Sequence, residues 1–493
     1  MEFSDKDWVS RWALYSPDKM ALEEHETGKT ISYSALNLLS NSFACDLDKT
    51  YKINKGDRVA VLYEFSIEYV ALFCAAQKKG FIIVPLNYRL TQLEISEIIE
   101  DSKPGLILSD SKFSHLINDE YCHRVKKFSD LNDRLSNLGP VVVDIAENDP
   151  VFIIYTSGTT GKAKGVKYTH KMLLWNSINT TISLNLNSDS RTIVVMPPFH
   201  TGGWNVLLTP FLHHGGFVYL CKKFEPDIIL NKLSSLKCSI FMGVPTMLAM
   251  MAKEISFDKS ELECLDYIIV GGESMPISLI EKYAEKDIAI RQGYGMTEVG
   301  PNLTSLHQDD SITKKGSIGR PNFYVEHKII TEEGKTAEIN EPGELWLKGP
   351  MVTPGYWNND KATKEAFSQD GLWFKTGDIV IEDGDKYIYV VDRLKNMFIS
   401  GGENVYPVEI EKVLRMLPEI SECAVVGVKD EKWGEVGKGY VVLHENHSIS
   451  EDALKSHCST YLAKYKVPRY FKTVLQLPKT DTGKIDRKTL KKW

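Results

Sequence analysis

Between residues 57 and 110 the sequence alternates between short apolar runs and longer amphipathic runs, and this alternation constrains the fold most strongly. The runs DRVAVL, FIIVPL and GLILSD have the length and composition of buried strands. Between them apolar residues recur at i, i+3 and i+4, which predicts two helices, the first ending at Gly80. Because strands that alternate with helices favour parallel pairing, the pattern predicts an α/β protein.

The same alternation returns over residues 190–295, so the sequence predicts a second parallel-sheet αβ subdomain of similar build. From about residue 316 predicted strands and turns dominate, which is typical of a small β-barrel or meander. After Asp392 helices and strands follow a separate α+β pattern. We therefore predict a large N-terminal domain, residues 1–391, and a small C-terminal domain, residues 392–493.

The overall composition argues against several classes of protein. A net charge of −7 disfavours a nucleic-acid partner. None of the eight cysteines belongs to a CxxC pair, so we expect buried, reduced thiols and a cytoplasmic location. The N-terminus MEFSDKDW lacks the pattern of a secretory signal, and no apolar stretch approaches the ~18 residues of a membrane span. We expect a monomer or homodimer that acts on a small molecule.

The stretch YTSGTTGKAKGV, residues 155–166, has the composition of a phosphate-binding loop. The template G-x-x-x-x-G-K-[ST] fails at two positions, since Thr156 replaces its first glycine and Ala163 replaces its final hydroxyl residue. Groups suited to a polyphosphate remain, and a flexible turn between strands is the alternative. The candidate phosphate ligands are Thr156, Ser157, Gly158, Thr159, Thr160, Lys162 and Lys164.

Two further stretches carry groups suited to a nucleotide. In GYGMTE, Tyr294 can stack on adenine, the Thr297 hydroxyl can reach a phosphate, and the Glu298 carboxylate suits magnesium. A turn with an exposed glutamate is the alternative. The stretch GGE follows the predicted strand LDYIIV, and a glycine pair at a strand end lets a flat ring approach the backbone. Its residues are Gly271, Gly272 and Glu273.

The last two stretches each contain one charged residue of interest. Asp378 in TGD could accept hydrogen bonds from ribose hydroxyls, or it could be an ordinary turn aspartate. Lys484 in DTGKID follows Thr-Gly and is expected on an exposed turn, although a solvated lysine in a basic tail is the alternative. Neither stretch is specific when taken alone.

Taken in order, YTSGTTGKAKGV, GYGMTE, TGD, DRLKNMFISGGENVYPVEIE and PKTDTGKIDRKTL resemble the motifs of the adenylate-forming superfamily of acyl-CoA synthetases, adenylation domains and luciferases. The resemblance covers essentially the whole chain, with Ala163 in place of the more usual proline. It implies that ATP activates a carboxylic acid to an acyl-adenylate with release of pyrophosphate, after which coenzyme A takes the acyl group as a thioester. It also implies magnesium.

The resemblance assigns roles to the candidate residues. Catalytic roles fall to Lys484, Thr297, Glu298 and His200, with Glu298 also holding magnesium. ATP would contact the phosphate-loop residues named above together with Gly271, Gly272, Glu273, Tyr294, Asp378 and Arg393. Asp392 resembles the hinge of a mobile lid, and Gly401 and Gly402 would line a channel for the pantetheine arm. A fixed linker is the alternative for Asp392.

The acyl side of the site is assigned to residues 197–216, where amino-acid-activating relatives carry an aspartate that this chain lacks. We therefore expect a fatty or aryl acid without a free amino group. An apolar pocket wall is predicted, with ordinary core packing as the alternative for each of its residues. These residues are Trp204, Asn205, Met242, Val244 and Thr246. His200 is expected to gate the carboxyl end without acting as a base.

Other acceptors and activities stay open at this point. The chain ends at Trp493 without a fused carrier domain, which favours free coenzyme A over a separate carrier protein. Trp433 could face coenzyme A or be buried. A nucleotide-binding protein without catalysis and a luciferase-type oxygenase are the remaining alternatives.

Overall fold

The computed structural model describes residues 5–131, 143–156, 163–272, 275–400, 403–430, 433–480 and 483–493. The chain divides into two compact units. The first contains Met1–His327 and Leu347–Phe374, and the second contains Lys328–Trp346 and Lys375–Trp493. The second unit thus includes residues on both sides of Asp392, and the domain boundary at that residue stays a prediction.

The strands of the described residues fall into five sheets. In chain order they are β1 (Met20–Glu24), β2 (Thr30–Ser32), β3 (Arg58–Leu62), β4 (Ile82–Pro85), β5 (Leu106–Ser109), β6 (Val125–Lys126), β7 (Pro150–Thr156), β8 (Lys164–Thr169), β9 (Arg191–Val194), β10 (Phe217–Leu220), β11 (Ile240–Gly243), β12 (Tyr267–Val270), β13 (Ala289–Tyr294), β14 (Thr304–Ser305), β15 (Arg320–Pro321), β16 (Glu326–Ile330), β17 (Gly343–Lys348), β18 (Phe374–Glu382), β19 (Ile388–Arg393), β20 (Phe398–Ser400), β21 (Glu403–Val405), β22 (Ile420–Asp430), β23 (Gly434–Leu443) and β24 (Tyr470–Thr473).

The α-helices are α1 (Trp8–Tyr15), α2 (Tyr33–Lys49), α3 (Ile67–Lys79), α4 (Gln92–Ser102), α5 (His170–Leu184), α6 (Thr201–Asn205), α7 (Leu208–His214), α8 (Pro226–Ser235), α9 (Pro245–Met251), α10 (Ile255–Lys259), α11 (Ile277–Ala284), α12 (Asp360–Ala366), α13 (Pro407–Leu414), α14 (Glu451–Tyr461) and α15 (Arg487–Leu490). Short 3-10 helices span Ser111–Leu116, Asp119–Arg124, Phe128–Asp130, Thr297–Val299, Gln308–Asp310 and Lys464–Lys466.

The first predicted series of strands forms a six-stranded sheet in the order β6-β5-β3-β4-β7-β8. β3 pairs parallel with both β4 and β5, as the alternation predicted. Every residue of β4 and β5 is buried, as expected of a parallel sheet covered on both faces. α3 begins after the N-cap Ser66, whose side chain accepts from the amide of Tyr69, and ends at Gly80 in the left-handed conformation. The α/β fold class is confirmed.

The strands of the second predicted series pair in parallel, as the alternation predicted. β9 and β10 join the N-terminal strands in the order β2-β1-β10-β9, whereas β11, β12 and β13 belong to the sheet β11-β12-β13-β14-β15. The alternation did not predict that β1 pairs parallel with β10, with Leu22 opposite Val218. That contact spans most of the first unit's sequence, and no local periodicity encodes it.

The second unit contains two sheets. The first has the order β16-β17-β18-β19, in which neighbours follow in chain order, so the predicted meander is present. The other has the order β21-β20-β23-β22, with β24 parallel to β23. α13 and α14 pack against this sheet around a core that includes Ile410, Leu414 and Leu454. The predicted α+β pattern after Asp392 is therefore observed.

Candidate active site

Three of the predicted site segments follow one edge of a sheet in the first unit. β11, β12 and β13 run parallel, with Gly243 opposite Val270 and Val270 opposite Gln292. The residues that leave the carboxyl ends of these strands are therefore neighbours, and this is the edge at which open α/β sheets bind ligands. The segments are Val244 after β11, Gly271 and Gly272 after β12, and Tyr294 at the end of β13.

Within this edge, Gly272 has a φ of +87°, which a residue with a side chain rarely adopts. The glycine pair thus turns the chain away from β12 and leaves its backbone accessible, as expected if a flat ring lies there. Tyr294 is partly exposed beside it. Glu273 lies outside the described residues, so its predicted contact with ATP stays a prediction.

The ends of the phosphate loop are fixed by an antiparallel pair. Thr156, the last residue of β7, lies opposite Lys164, the first residue of β8, and its hydroxyl donates to the Lys164 carbonyl at 3.5 Å. The loop therefore connects two strands of a hairpin, whereas the nucleotide template connects a strand to a helix, which explains why that template fails. The predicted ligands Ser157, Gly158, Thr159, Thr160 and Lys162 lie outside the described residues.

Lys164 and Glu298 both contact the side chain of Tyr356. The Lys164 ammonium is 5.1 Å from the centroid of the Tyr356 ring, within cation–π range. The Tyr356 hydroxyl donates to Glu298 Oε1 at 3.0 Å. Burial, followed by the charge of Glu298, raises the pKa of Tyr356, so this hydroxyl stays protonated. The alternative that Glu298 is an exposed turn residue is wrong.

The Glu298 carboxylate fits the magnesium that the motifs imply. Magnesium is commonly bound by one or two carboxylates together with substrate phosphate oxygens. Across the described ranges, no three acidic, histidine or cysteine side chains gather as a ready-made metal site. Glu298 would thus hold the ion with ATP supplying further oxygens, and the ion would neutralise phosphate charge. The neighbouring Thr297 is buried on the same short 3-10 helix.

The residues predicted for the acyl pocket divide into two groups. Trp204 is fully buried against Phe73 and Phe152 and donates its indole N–H to the Pro198 carbonyl. Asn205 is also fully buried and accepts from Thr209. Core packing, the alternative for these two residues, is what the structure shows, and their role in a pocket stays a prediction.

The other acyl-side residues lie nearer the surface. Met242 retains 9% exposure, Val244 is partly exposed and Thr246 is exposed. His200 is partly exposed immediately before α6, and its ring contacts that of Phe199 edge-on. These four residues are therefore better placed than Trp204 and Asn205 to meet a small molecule.

In the second unit, Asp378 and Arg393 form an ion pair across two strands. Asp378 lies opposite Arg393 in the β18–β19 pair, and Arg393 Nε lies 3.0 Å from Asp378 Oδ1. The Asp378 side chain is 3% exposed and lies inside β18, so the alternative of a simple turn aspartate is wrong. The predicted pair is present, whereas its contact with ribose stays a prediction.

Asp392 is buried beside this pair and accepts three hydrogen bonds. The donors are the amides of Arg393 and Val408 and the side chain of Asn396, at 2.6, 3.0 and 3.1 Å. Burial raises the pKa of Asp392, and the hydrogen bonds oppose that rise. Asp392 thus joins β19 to the start of α13. Whether the chain rotates there stays a prediction.

Lys484 lies on an exposed turn, as expected. The Thr480 amide donates to the Lys484 carbonyl at 2.7 Å, and Gly483 before it has a φ of +84°. The charge of Lys484 acts on a second lysine, Lys395. Desolvation, followed by the charge of Arg393 and smaller contributions from Lys488 and Lys484, lowers the pKa of Lys395, although the residue as a whole is exposed.

The coenzyme A side of the second unit is described in part. Gly401 and Gly402, the predicted channel residues, lie outside the described residues. Trp433 is 47% exposed, so the alternative that it is buried is wrong. With Ile399, Lys429 and Asp430 it lines a cavity of about 600 Å³.

The sequence profile of the AMP-binding enzyme family matches residues 9–357, and that of the AMP-binding enzyme C-terminal domain matches residues 409–484. The chain belongs to the AMP-binding enzyme family. A feruloyl-CoA synthase of Amycolatopsis is 34% identical over 97% of this chain and 96% of the relative. The long-chain fatty-acid–CoA ligase FadD13 of Mycobacterium tuberculosis is 34% identical over 98% and 97%.

A solved member of the family has a similar structure. The o-succinylbenzoate CoA synthetase MenE of Bacillus subtilis, in complex with its acyl-adenylate intermediate, superposes with a TM-score of 0.88 at 31% identity over 98% of each chain. The same enzyme has been solved with ATP and a magnesium ion. This AMP-binding enzyme is thus an acid–thiol ligase. The predicted reaction class, adenylation of an acid by ATP followed by transfer to coenzyme A, and the predicted magnesium are confirmed.

Three features of this AMP-binding enzyme were missed in the sequence. Tyr356 gave only the signal VTPGYW, a strand-like aromatic run after a proline. Lys395 stands three residues after the predicted hinge and was not singled out. The third feature is the buried ion pair of Glu411 and Arg487, with nitrogen–oxygen distances of 2.6 and 3.0 Å. Arg487 lies in the basic stretch that follows Lys484, and that stretch gives no sign of a buried partner.

Two general expectations were tested as well. All eight cysteines are free, and burial raises the pKa of Cys74 to about 12, whereas Cys122 and Cys264 are exposed rather than buried. In the part of the chain that the structure describes, no helix combines the length and the apolar character that crossing a bilayer requires.

Proposed function

We propose that this ligase activates a fatty or aryl carboxylic acid without a free amino group, acting in the cytoplasm as a monomer or homodimer. One observation carries the assignment of the adenylation site. Tyr356 contacts both the Glu298 carboxylate and the Lys164 ammonium, and Glu298 lies just beyond β13, whose end belongs to the candidate ligand-binding edge. A cation, a magnesium-binding carboxylate and an accessible strand edge are what a bound ATP needs.

The first half-reaction brings two anions together. Like charges at ~4 Å repel by roughly 4 kcal/mol at an effective dielectric constant of 20. Lys164, with Lys162 from the phosphate loop, would offset this repulsion and hold the pyrophosphate leaving group. The Thr297 hydroxyl would donate to the α-phosphate, and Glu298 would hold the magnesium ion.

The second unit would supply the remaining contacts. Asp378, oriented by Arg393, would accept hydrogen bonds from the ribose hydroxyls. Lys484 would bridge the substrate carboxylate and the α-phosphate during adenylation. A preorganised donor of this kind contributes roughly 3–4 kcal/mol, or 10²–10³ in rate. The exposed turn that carries Lys484 supports this role, because a side chain on such a turn is accessible to a nucleotide.

After adenylation we propose that the chain rotates at Asp392 and that the C-terminal lid presents a different face. The segment around Gly401 and Gly402 would then form a channel for the pantetheine arm, and the cavity beside Trp433 would receive another part of coenzyme A. Alternation between two closed states lets one cleft serve two half-reactions. The alternative acceptor is a separate carrier protein.

The acid itself is not transferred from the relatives, since a feruloyl, a long-chain fatty and an o-succinylbenzoyl ligase are similar to this chain at 34%, 34% and 31% identity. Met242 and Val244 favour an apolar acyl group. The test is a panel of C2 to C18 and aryl acids, assayed by pyrophosphate release. Release of AMP that requires coenzyme A supports the thioester ligase, and release that requires a carrier protein supports the alternative.

A further inference from the structure

The segment that carries Tyr356 is bound edge to edge to the strand that leaves the phosphate loop. The Lys167 amide donates to the Gly355 carbonyl at 3.1 Å, and the Trp357 amide donates to the Gly165 carbonyl at 2.7 Å. Tyr356 lies opposite Val166 in an isolated antiparallel bridge. This segment, residues 353–357, therefore takes its position from β8.

Its close approach depends on Gly165. A Cβ atom at that position would lie 2.7 Å from Ile153 Cγ2, 3.1 Å from the Tyr155 ring and 3.3 Å from Trp357 Cβ. Any side chain there would separate β8 from its neighbours. The lack of a side chain at Gly165 therefore lets the 353–357 segment pack against β8.

The same segment also binds Glu298 twice. The Thr353 amide donates to the Glu298 carbonyl at 2.7 Å, and the Tyr356 hydroxyl donates to the Glu298 carboxylate at 3.0 Å. Both the main chain and the side chain of Glu298 thus accept hydrogen bonds from one short segment. That segment is itself hydrogen-bonded to β8. The Tyr356 ring is 7% exposed and the Lys164 ammonium faces it.

We infer that Tyr356 is a positioning residue for adenylation. It sets the Glu298 carboxylate at a fixed place relative to the Lys164 ammonium, so that the magnesium ion and the phosphates are met by a preformed arrangement. This inference rests on the proposed function of the site and adds to it a residue that contacts neither ATP nor the acid. A residue that only filled the core would need its ring, whereas a positioning residue needs its hydroxyl.

The test compares Tyr356→Phe with Tyr168→Phe. Both changes remove one buried hydroxyl and keep the ring. Tyr168 lies on β8, and its hydroxyl has no hydrogen-bond partner among the described residues. We expect Tyr356→Phe to weaken ATP binding in magnesium by roughly 10-fold or more, as measured by isothermal titration calorimetry, because hydrogen bonds to charged groups are the strong ones. Binding without magnesium should be unchanged, and Tyr168→Phe should bind as the native protein does in both conditions.

Two further measurements keep the inference falsifiable. In a Glu298→Gln background, Tyr356→Phe should have no additional effect on magnesium–ATP binding, and thioester formation from preformed acyl-adenylate should keep its native rate. Equal losses with and without magnesium, or a full additional loss in the Glu298→Gln background, would overturn the positioning role. If the native protein binds magnesium–ATP but never exchanges pyrophosphate with any acid, the proposed function fails while this binding comparison still stands.

Discussion

Glu298 in the first unit and Lys484 in the second carry opposite charges and are held in opposite ways. Glu298 is fixed directly, because its carbonyl and its carboxylate each accept a hydrogen bond from the 353–357 segment. Lys484 is exposed, and its main-chain carbonyl accepts a hydrogen bond from the Thr480 amide within a turn. A group that must receive a metal ion benefits from a preformed position, whereas a group that must be delivered to a nucleotide benefits from an exposed one.

The turn that carries Lys484 is anchored by Arg487, three residues further on. Its guanidinium donates two hydrogen bonds to the Glu411 carboxylate and one to the Val425 carbonyl. Glu411 is 1% exposed, and its charge is the leading favourable influence that raises the pKa of Arg487 against the effect of burial. The arm of Lys484 is thereby tied to α13, whose second residue donates to Asp392.

The largest expected effect is that of breaking the ion pair between Arg487 and Glu411. Arg487→Gln should lower the free energy of unfolding by about 3–5 kcal/mol, because it leaves the Glu411 carboxylate buried without its main partner. The matched control is Lys479→Gln, which breaks a pair with Glu422 in which both side chains are 43% exposed and should cost less than about 1 kcal/mol. Urea titration measures both. If both variants lose the same free energy of unfolding, Arg487 does not anchor the turn that carries Lys484.

Removal of the delivered cation comes next. Lys484→Ala should reduce acid-dependent pyrophosphate exchange by about 10²–10³ or more, equivalent to roughly 3–4 kcal/mol, while thioester formation from preformed acyl-adenylate persists. Lys492→Ala, in the same basic tail, should change neither rate. If Lys484→Ala slows both half-reactions equally, the division of labour between the two lid positions is wrong.

A smaller effect tests the fixed side of the comparison. Gly165→Ala should destabilise the protein by about 1–3 kcal/mol, since its Cβ would overlap Ile153, and it should weaken magnesium–ATP binding by displacing the 353–357 segment. Gly384→Ala is the control, because nothing lies within 4 Å of its Cβ. Thermal unfolding and calorimetry report the two effects. If Gly165→Ala is destabilised but binds magnesium–ATP with native affinity, the position of the 353–357 segment does not affect the site.

Acid should act on the first unit through His170. Burial lowers the pKa of His170 to about 4, and neither ring nitrogen has a hydrogen-bond partner among the described residues. In the unfolded chain His170 takes up a proton near pH 6.5, whereas in the folded chain it does so only near pH 4. The contribution of neutral His170 to the free energy of unfolding is therefore fully present above pH 6.5 and is lost as the pH falls toward 4. The loss is about 1.4 kcal/mol per pH unit.

His170→Leu should therefore reduce the fall in stability between pH 6.5 and pH 4.5, whereas His447→Leu, at an exposed position in the second unit, should leave it unchanged. Urea titrations at several pH values measure the slope. An unchanged slope in His170→Leu would show that other groups dominate the acid response.

Much of the fold could be predicted from the sequence because its signals are local. The apolar period of α3 and the glycine that ends it lie within one window, and so do the runs that form β3, β4 and β5. The motifs likewise named Lys164, Glu298, Asp378 and Lys484 as candidates, since the stretches that carry them are distinctive when taken together. The reaction class followed from their order along the chain.

What could not be predicted depends on contacts between distant residues. Tyr356 and Glu298 are 58 residues apart, and Arg487 and Glu411 are 76 residues apart. A single tyrosine or arginine in the sequence does not indicate its partner. The residues that position the site could therefore not be predicted, whereas the residues of the motifs could. The pairing of β1 with β10 was missed for the same reason.

The most direct test of the central claim measures the first half-reaction alone. The native protein is mixed with ATP, magnesium, isotope-labelled pyrophosphate and one acid at a time, without coenzyme A. We expect label to enter ATP only when a suitable fatty or aryl acid is present. If no acid in the panel promotes incorporation of label, the protein does not form an acyl-adenylate, and the account of its site is contradicted.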